Sequence, residues 1–134
     1  MFKNLRRCVV GPCATGGAIA LLTLLQAGCG GDTVTESGTD QIGIEVSTLR
    51  VTIENRSGLG LRNVRAVIEP AGIQKTGYTA LVGEVGSAQR RPISLGDFRA
   101  EDGTPFSARA VQPSAVRVTA VDMNGQQYEA VVPW

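Results

Sequence analysis

Histidine is absent from the 134 residues. Without an imidazole the chain cannot build Ser-His-Asp or Cys-His catalytic groups, nor a histidine-ligated metal site. Cysteine is scarce: three residues, at positions 8, 13 and 29. Aromatic residues make up only 4%, too few for the stacked platforms that single-stranded nucleic acid requires. No glycine-rich loop follows a strand and opens a helix, which removes the phosphate-cradling motifs. Beyond Cys29 no stretch keeps a helical period, which argues against helical bundles and α/β folds. Neither sign of charge dominates: 13 basic residues stand against 12 acidic ones, for a net charge of +1.

What is present begins with the leader. The first seven residues carry Lys3, Arg6 and Arg7 and no acid. Residues 8–28 carry no charge, and their most apolar part is Ala18-Ile19-Ala20-Leu21-Leu22-Thr23-Leu24-Leu25. A basic start, an apolar middle and a small-residue exit make a secretory signal. The basic end stays on the cytoplasmic side while the apolar middle partitions into the bilayer. The exit reads Leu24-Leu25-Gln26-Ala27-Gly28-Cys29. Two small residues followed by cysteine resemble the processing site of bacterial lipoproteins, with Leu25 one place early and Gln26 between.

The resemblance implies residues 1–28 as a removable signal peptide, cleavage before Cys29, and a diacylglyceryl thioether on its sulfur. It also implies acylation of the new amino group. Several acyl chains hold a membrane far better than one, at about 0.8 kcal/mol per buried CH₂. The expected partner is therefore a membrane, reached through a lipid anchor on Cys29. The expected location is the bacterial cell envelope, on the outer membrane or periplasmic face. Cys8 and Cys13 would leave with the signal, and the lone remaining cysteine could form no intrachain disulfide. Two other readings stay open: a plain cleaved signal, and an uncleaved anchor, since a span needs about 20 apolar residues. Arg6-Arg7 is also the pair used in twin-arginine export.

Residues 29–47 are expected to form a lipidated cysteine and a flexible tether. The first dozen residues after Cys29 are small and polar, with Asp32, Glu36 and Asp40 and no base. Such a composition buries too little apolar surface to offset chain entropy. Ile42, Ile44 and Val46 alternate with Gly43 and Glu45, which allows a first strand there.

Residues 48–134 alternate with period two. Leu49, Val51 and Ile53 oppose Arg50, Thr52 and Glu54; Val64, Ala66 and Ile68 oppose Arg65, Val67 and Glu69. Further strands are expected around Tyr78-Ala80-Val82 and Ile93-Leu95. Gly86 to Pro92 reads as a polar turn, and residues 108–111 as a brief pairing segment. The last pair is the clearest: Val116, Val118 and Ala120, then Asn124-Gly125, then Tyr128, Ala130 and Val132. Asn-Gly between alternating runs predicts a hairpin with a type I′ turn. Short strands with regular turns argue for an all-β, single antiparallel sandwich. The order of strands and turns resembles immunoglobulin-like and fibronectin type III-like modules, a resemblance that speaks to fold rather than task.

Candidates for chemistry are few. Asp97, Glu101 and Asp102 precede Gly103, so their oxygens and the turn could suit calcium; a solvated loop is the stronger explanation, because Arg99 interrupts the cluster and the spacing fits no calcium-loop motif. Arg90-Arg91 and Arg50, Arg56, Arg62, Arg65, Arg99, Arg109 and Arg117 could face anionic lipid or polysaccharide, but interspersed acids favour ordinary outward strand faces. Trp134 could meet a partner or cover the end of the sandwich. The expectation is no catalytic residue, no cofactor and no metal ligand, with Cys29 as lipidation site. The function expected is a non-catalytic interaction or scaffold module of the envelope, with an envelope protein partner and no nucleic acid. Carbohydrate or another envelope ligand is the second reading, and a small hydrolytic enzyme the third.

Overall fold

Apolar residues at every second position leave each strand one face that must leave water, and pairing two sheets face to face is the simplest way to do it. The computed structural model describes residues 36–37, 39–73 and 76–134, all within the unit Asp32–Trp134. Its strands are β1 (Glu36–Ser37), β2 (Ile42–Val46), β3 (Arg50–Asn55), β4 (Leu61–Pro70), β5 (Tyr78–Val85), β6 (Arg90–Ser94), β7 (Pro113–Asp122) and β8 (Gln127–Pro133). One sheet has the order β1-β8-β7-β4-β5 and the other β2-β3-β6. All pairs are antiparallel except the two-residue β1, which runs parallel to β8. The described residues form an all-β, antiparallel sandwich of two sheets.

The inner faces are those the alternation marks. Val51 and Ile53, Val64, Ala66 and Ile68, and Val116 and Val118 are buried together with Phe98. Tyr128 and Val132 pack against this core from half-buried positions. The strand suggested at Ile42, Ile44 and Val46 forms, and it carries Ile42 into the core. The folded unit therefore begins ahead of Thr48, and β1 pairs with β8 earlier still.

The registers define two ends. The chain enters at the end holding Ile42, Asn55, Leu61, Val85 and Asp122. The far end holds the β2–β3 turn, Pro70 beside Pro113, the start of β5 and Pro133. Strands of 10 residues separate the ends by about 30 Å at about 3.3 Å per residue.

Four local expectations need correction. Leu49 is 77% exposed in the β2–β3 turn rather than in the core. Arg90, Arg91 and Pro92 are not a turn: they begin β6, paired with Glu54, Ile53 and Thr52. Proline is tolerated there because β6 is an edge strand and its missing donor faces outward. Residues 108–111 form no strand; the N–H groups of Ala110 and Val111 both turn back to Ser107 O. The final hairpin is not type I′. Gly125 has φ +87° while Asn124 does not take a positive φ. Gly125 N–H donates to Asp122 O at 3.1 Å and Asp122 N–H to Gln126 O at 2.9 Å. This is a three-residue loop, a turn followed by a left-handed glycine.

Residues 98–106 fold back on themselves. Phe106 N–H donates to Phe98 O at 2.8 Å, and Ala100 N–H to Thr104 O at 2.8 Å. Both phenylalanines are buried and anchor this excursion to the sandwich. Arg99 pairs with Thr79, extending the sheet past the free edge of β5 by one residue.

Candidate functional site

Cys29, the leader and residues 30–35 of the expected tether lie outside the described residues. The other candidates can be placed.

The acidic loop does not gather. Asp102 Oδ1 accepts the N–H of Thr104 at 2.9 Å, closing a short side-chain turn. The Thr104 N–H and then its hydroxyl hold the Asp102 carboxyl below its ordinary pKa. Among the described residues no three acidic or cysteine side chains come together as a metal site would require. Glu101 and Asp102 instead line an open depression of about 580 Å³ with Thr76 and Tyr78.

Several arginines of the outer faces are engaged. Arg56 pairs with Glu54 at 2.6 Å, and Arg90 with Glu45 at 2.5 Å across the width of the three-stranded sheet. Arg56 lies flat over β2 at Gly43, where a Cβ would come within 2.8 Å of its guanidinium. Arg117 sits between two carboxylates, Glu69 at 2.7 Å and Glu129 at 2.6 Å. The hydrogen bond that Arg117 donates to Glu69, against some desolvation, raises the Arg117 pKa further.

The aromatics meet at the far end. Tyr78 packs edge-on against Phe106, with centroids 5.2 Å apart, and Phe106 packs at 5.8 Å against Trp134. One side of Trp134 covers Phe106, and 38% of the residue remains exposed. Beside it an open depression of about 400 Å³ is lined by Ile44, Val46, Ser47, Thr48, Val132 and Pro133. A second, of about 540 Å³, shares Ser47 and Thr48 and continues over Leu49 to Pro92. Ile73, 97% exposed, stands at the same end. The rim of the sandwich farthest from where the chain enters is thus apolar and uneven.

Two buried polar residues escaped the sequence reading. Asn55 is fully buried, and its amide donates to the carbonyls of Leu59 at 2.6 Å, Val85 at 3.0 Å and Gly86 at 3.1 Å. Its Oδ1 accepts from the N–H and hydroxyl of Ser57 at 3.0 and 2.7 Å. One side chain so ties the β3–β4 turn to the β5–β6 turn. Asp122 is 2% exposed. Its carboxylate accepts from the N–H groups of Asn124 and Gln126 and from the Tyr128 hydroxyl. Desolvation is the largest single influence and pushes its pKa up, but these donors together hold it below the ordinary value. Both groups act as structural staples: the Asn55 amide uses its donors and its acceptor, and the Asp122 carboxylate accepts three hydrogen bonds. Only the turn-forming composition around each, Asn-x-Ser-Gly and Asp-x-Asn-Gly, hinted at them.

Comparison with known protein families, with characterised proteins and with solved structures finds no match for this chain.

Proposed function

We propose that the protein is a lipid-anchored module of the bacterial cell envelope, non-catalytic, that presents the far end of its sandwich to an envelope protein. The leader supports export, and Ala27-Gly28-Cys29 supports an anchor at Cys29. The observation that carries the interaction reading is the polarity of the sandwich. The chain enters at one end, while Leu49, Ile73 and Trp134 are exposed at the other. The rim lies about 30 Å from the end at which the chain enters the sandwich. Exposed apolar patches of this kind mark contact sites more often than free surface, and a tryptophan half-seated on an aromatic neighbour is a common anchor.

The test has two readouts on the full chain expressed in a bacterium. Mass spectrometry of the N-terminus should find acylated Cys29, and Cys29→Ser should accumulate unprocessed precursor; an unmodified start elsewhere removes the anchor. Photo-crosslinking side chains placed at Thr48 and Trp134 should give a discrete product in intact membranes. The same group at Thr52, on the outer face of the three-stranded sheet, should not. Equal yields at all three positions would refute an end-on interaction.

A further inference from the structure

We propose that the open depression between Arg65 and Arg99, over edge strand β5, binds an anionic saccharide, one bearing a carboxylate or phosphate group. This holds whether or not Cys29 carries lipid, and it concerns a different surface from the apolar rim.

The placement follows from register. Thr79 N–H donates to Arg99 O at 2.8 Å and Arg99 N–H to Thr79 O at 3.0 Å. Arg65 is paired with Leu81. Directly paired residues share a face, and so do residues two apart on a strand. Arg99, Thr79, Leu81 and Arg65 therefore rise from one outer face, with the two arginines on opposite sides of β5. A depression of about 620 Å³ lies among them, its lining completed by Thr76 and Glu101 along with backbone at Gly77 and Ala100.

Six of the nine described arginines meet no carboxylate at ion-pair distance, and Arg65 and Arg99 are the two of them that flank this depression. Arg56, Arg90 and Arg117 each meet a carboxylate within 2.7 Å. Arg65 and Arg99 meet none at ion-pair distance among the described residues. Arg99 Nη1 donates to Gly103 O at 3.1 Å, which steadies its guanidinium and leaves its other N–H groups available. Two guanidinium groups against the single carboxylate of Glu101 leave the depression one positive charge in excess.

The rest of the lining selects the body of the ligand. The depression is open, with polar and apolar lining in about equal share, so it offers no enclosure for an apolar molecule. The Thr76 and Thr79 hydroxyls and the Glu101 carboxylate can exchange hydrogen bonds with sugar hydroxyls. Leu81, 77% exposed, gives one apolar flank for the C–H face of a ring. Arginine forks match carboxylate and phosphate oxygens in a way that lysine does not.

The test is amide NMR of the full chain in neutral detergent, titrated in turn with a galacturonate trisaccharide, glucose 6-phosphate, a neutral galactose trisaccharide, inorganic phosphate and anionic phospholipid vesicles. The expected result is saturable shifts at Thr79, Leu81 and Arg99 with at least one of the two anionic sugars, and none with the neutral one. Loss of one charge-assisted pair in Arg65→Ala should weaken that binding about tenfold or more. Arg65→Lys should fall between, and Arg50→Ala should match the parent. Arg99→Ala gives a second reading should either variant alter thermal unfolding. Absence of saturable shifts with both anionic sugars overturns the proposal. So does inorganic phosphate binding as tightly as glucose 6-phosphate while the galacturonate does not bind. Vesicle binding that needs Arg65, without sugar binding, would assign the surface to a membrane instead.

Discussion

Replacing Asn55 by alanine tests the reading of the sandwich most directly. The side chain touches no water and makes five hydrogen bonds, to two separate stretches of backbone and to the Ser57 hydroxyl. The bond to Val85 O is fully buried, so its loss strands an acceptor at about 1–3 kcal/mol. The carbonyls of Leu59 and Gly86 and the N–H of Ser57 are half-buried and can turn partly to water, at about 0.5–1 kcal/mol each. The sum is about 2.5–6 kcal/mol, a large part of the roughly 5–15 kcal/mol typical of a domain. At about 4–8 °C per kcal/mol for a domain of this size, the unfolding midpoint should fall by at least about 10 °C. Asn55→Asp sharpens the test. It keeps an acceptor for Ser57 but turns a carboxylate onto three carbonyl oxygens, which raises its folded-state pKa above the unfolded value of about 3.9. A raised carboxyl pKa means that the folded state holds the proton longer. The variant should be most stable below pH about 4 and lose stability as pH rises through the folded pKa. Thermal unfolding of the full chain at several pH values reads both effects. A loss under about 1 kcal/mol for Asn55→Ala, or a pH-independent Asn55→Asp, would refute the linkage of the two turns through this residue.

Other outcomes can be stated from the same unfolding assay. Val118→Asp buries an unpaired charge and should cost several kcal/mol, enough to prevent folding. Arg117→Asp should cost only about 1–2 kcal/mol, more than a free surface arginine because it sets a third carboxylate between Glu69 and Glu129. Gly125→Val should lose about 1–2 kcal/mol and Asn124→Val well under 1, since only Gly125 takes a positive φ; equal losses would restore the type I′ turn. Ala88, at φ +58°, should accept glycine with a gain of about 0.5 kcal/mol. The lowered Asp122 pKa means that its contribution is present above the unfolded pKa and is lost as pH falls through the folded one. The acid limb of the stability profile should therefore flatten in Asp122→Asn, and an unchanged limb would count against it.

The sequence alone was enough for the features that depend only on neighbours along the chain. Alternation is a local property, so Val64, Ala66 and Ile68, and Val116 and Val118, could be assigned to the inner faces before any pairing was known. The charge pattern of the leader and the small residues before Cys29 are likewise legible in order, and they carry the envelope reading. Tertiary structure decided what depends on distant partners. Arg90-Arg91-Pro92 has the composition of a turn and becomes strand because Thr52, Ile53 and Glu54 offer it an edge. Asn124-Gly125 prefers a two-residue turn in isolation. The loop takes three residues because the buried Asp122 carboxylate captures the Asn124 and Gln126 N–H groups, and a buried carboxylate left without donors costs more than the local preference. Asn55 reads as an ordinary turn former until Val85 and Gly86, about thirty residues away, bring it their carbonyls. The same holds for Arg65 and Arg99. They are two arginines among many in the sequence, and only the pairing of Thr79 with Arg99 and of Arg65 with Leu81 sets both on one face.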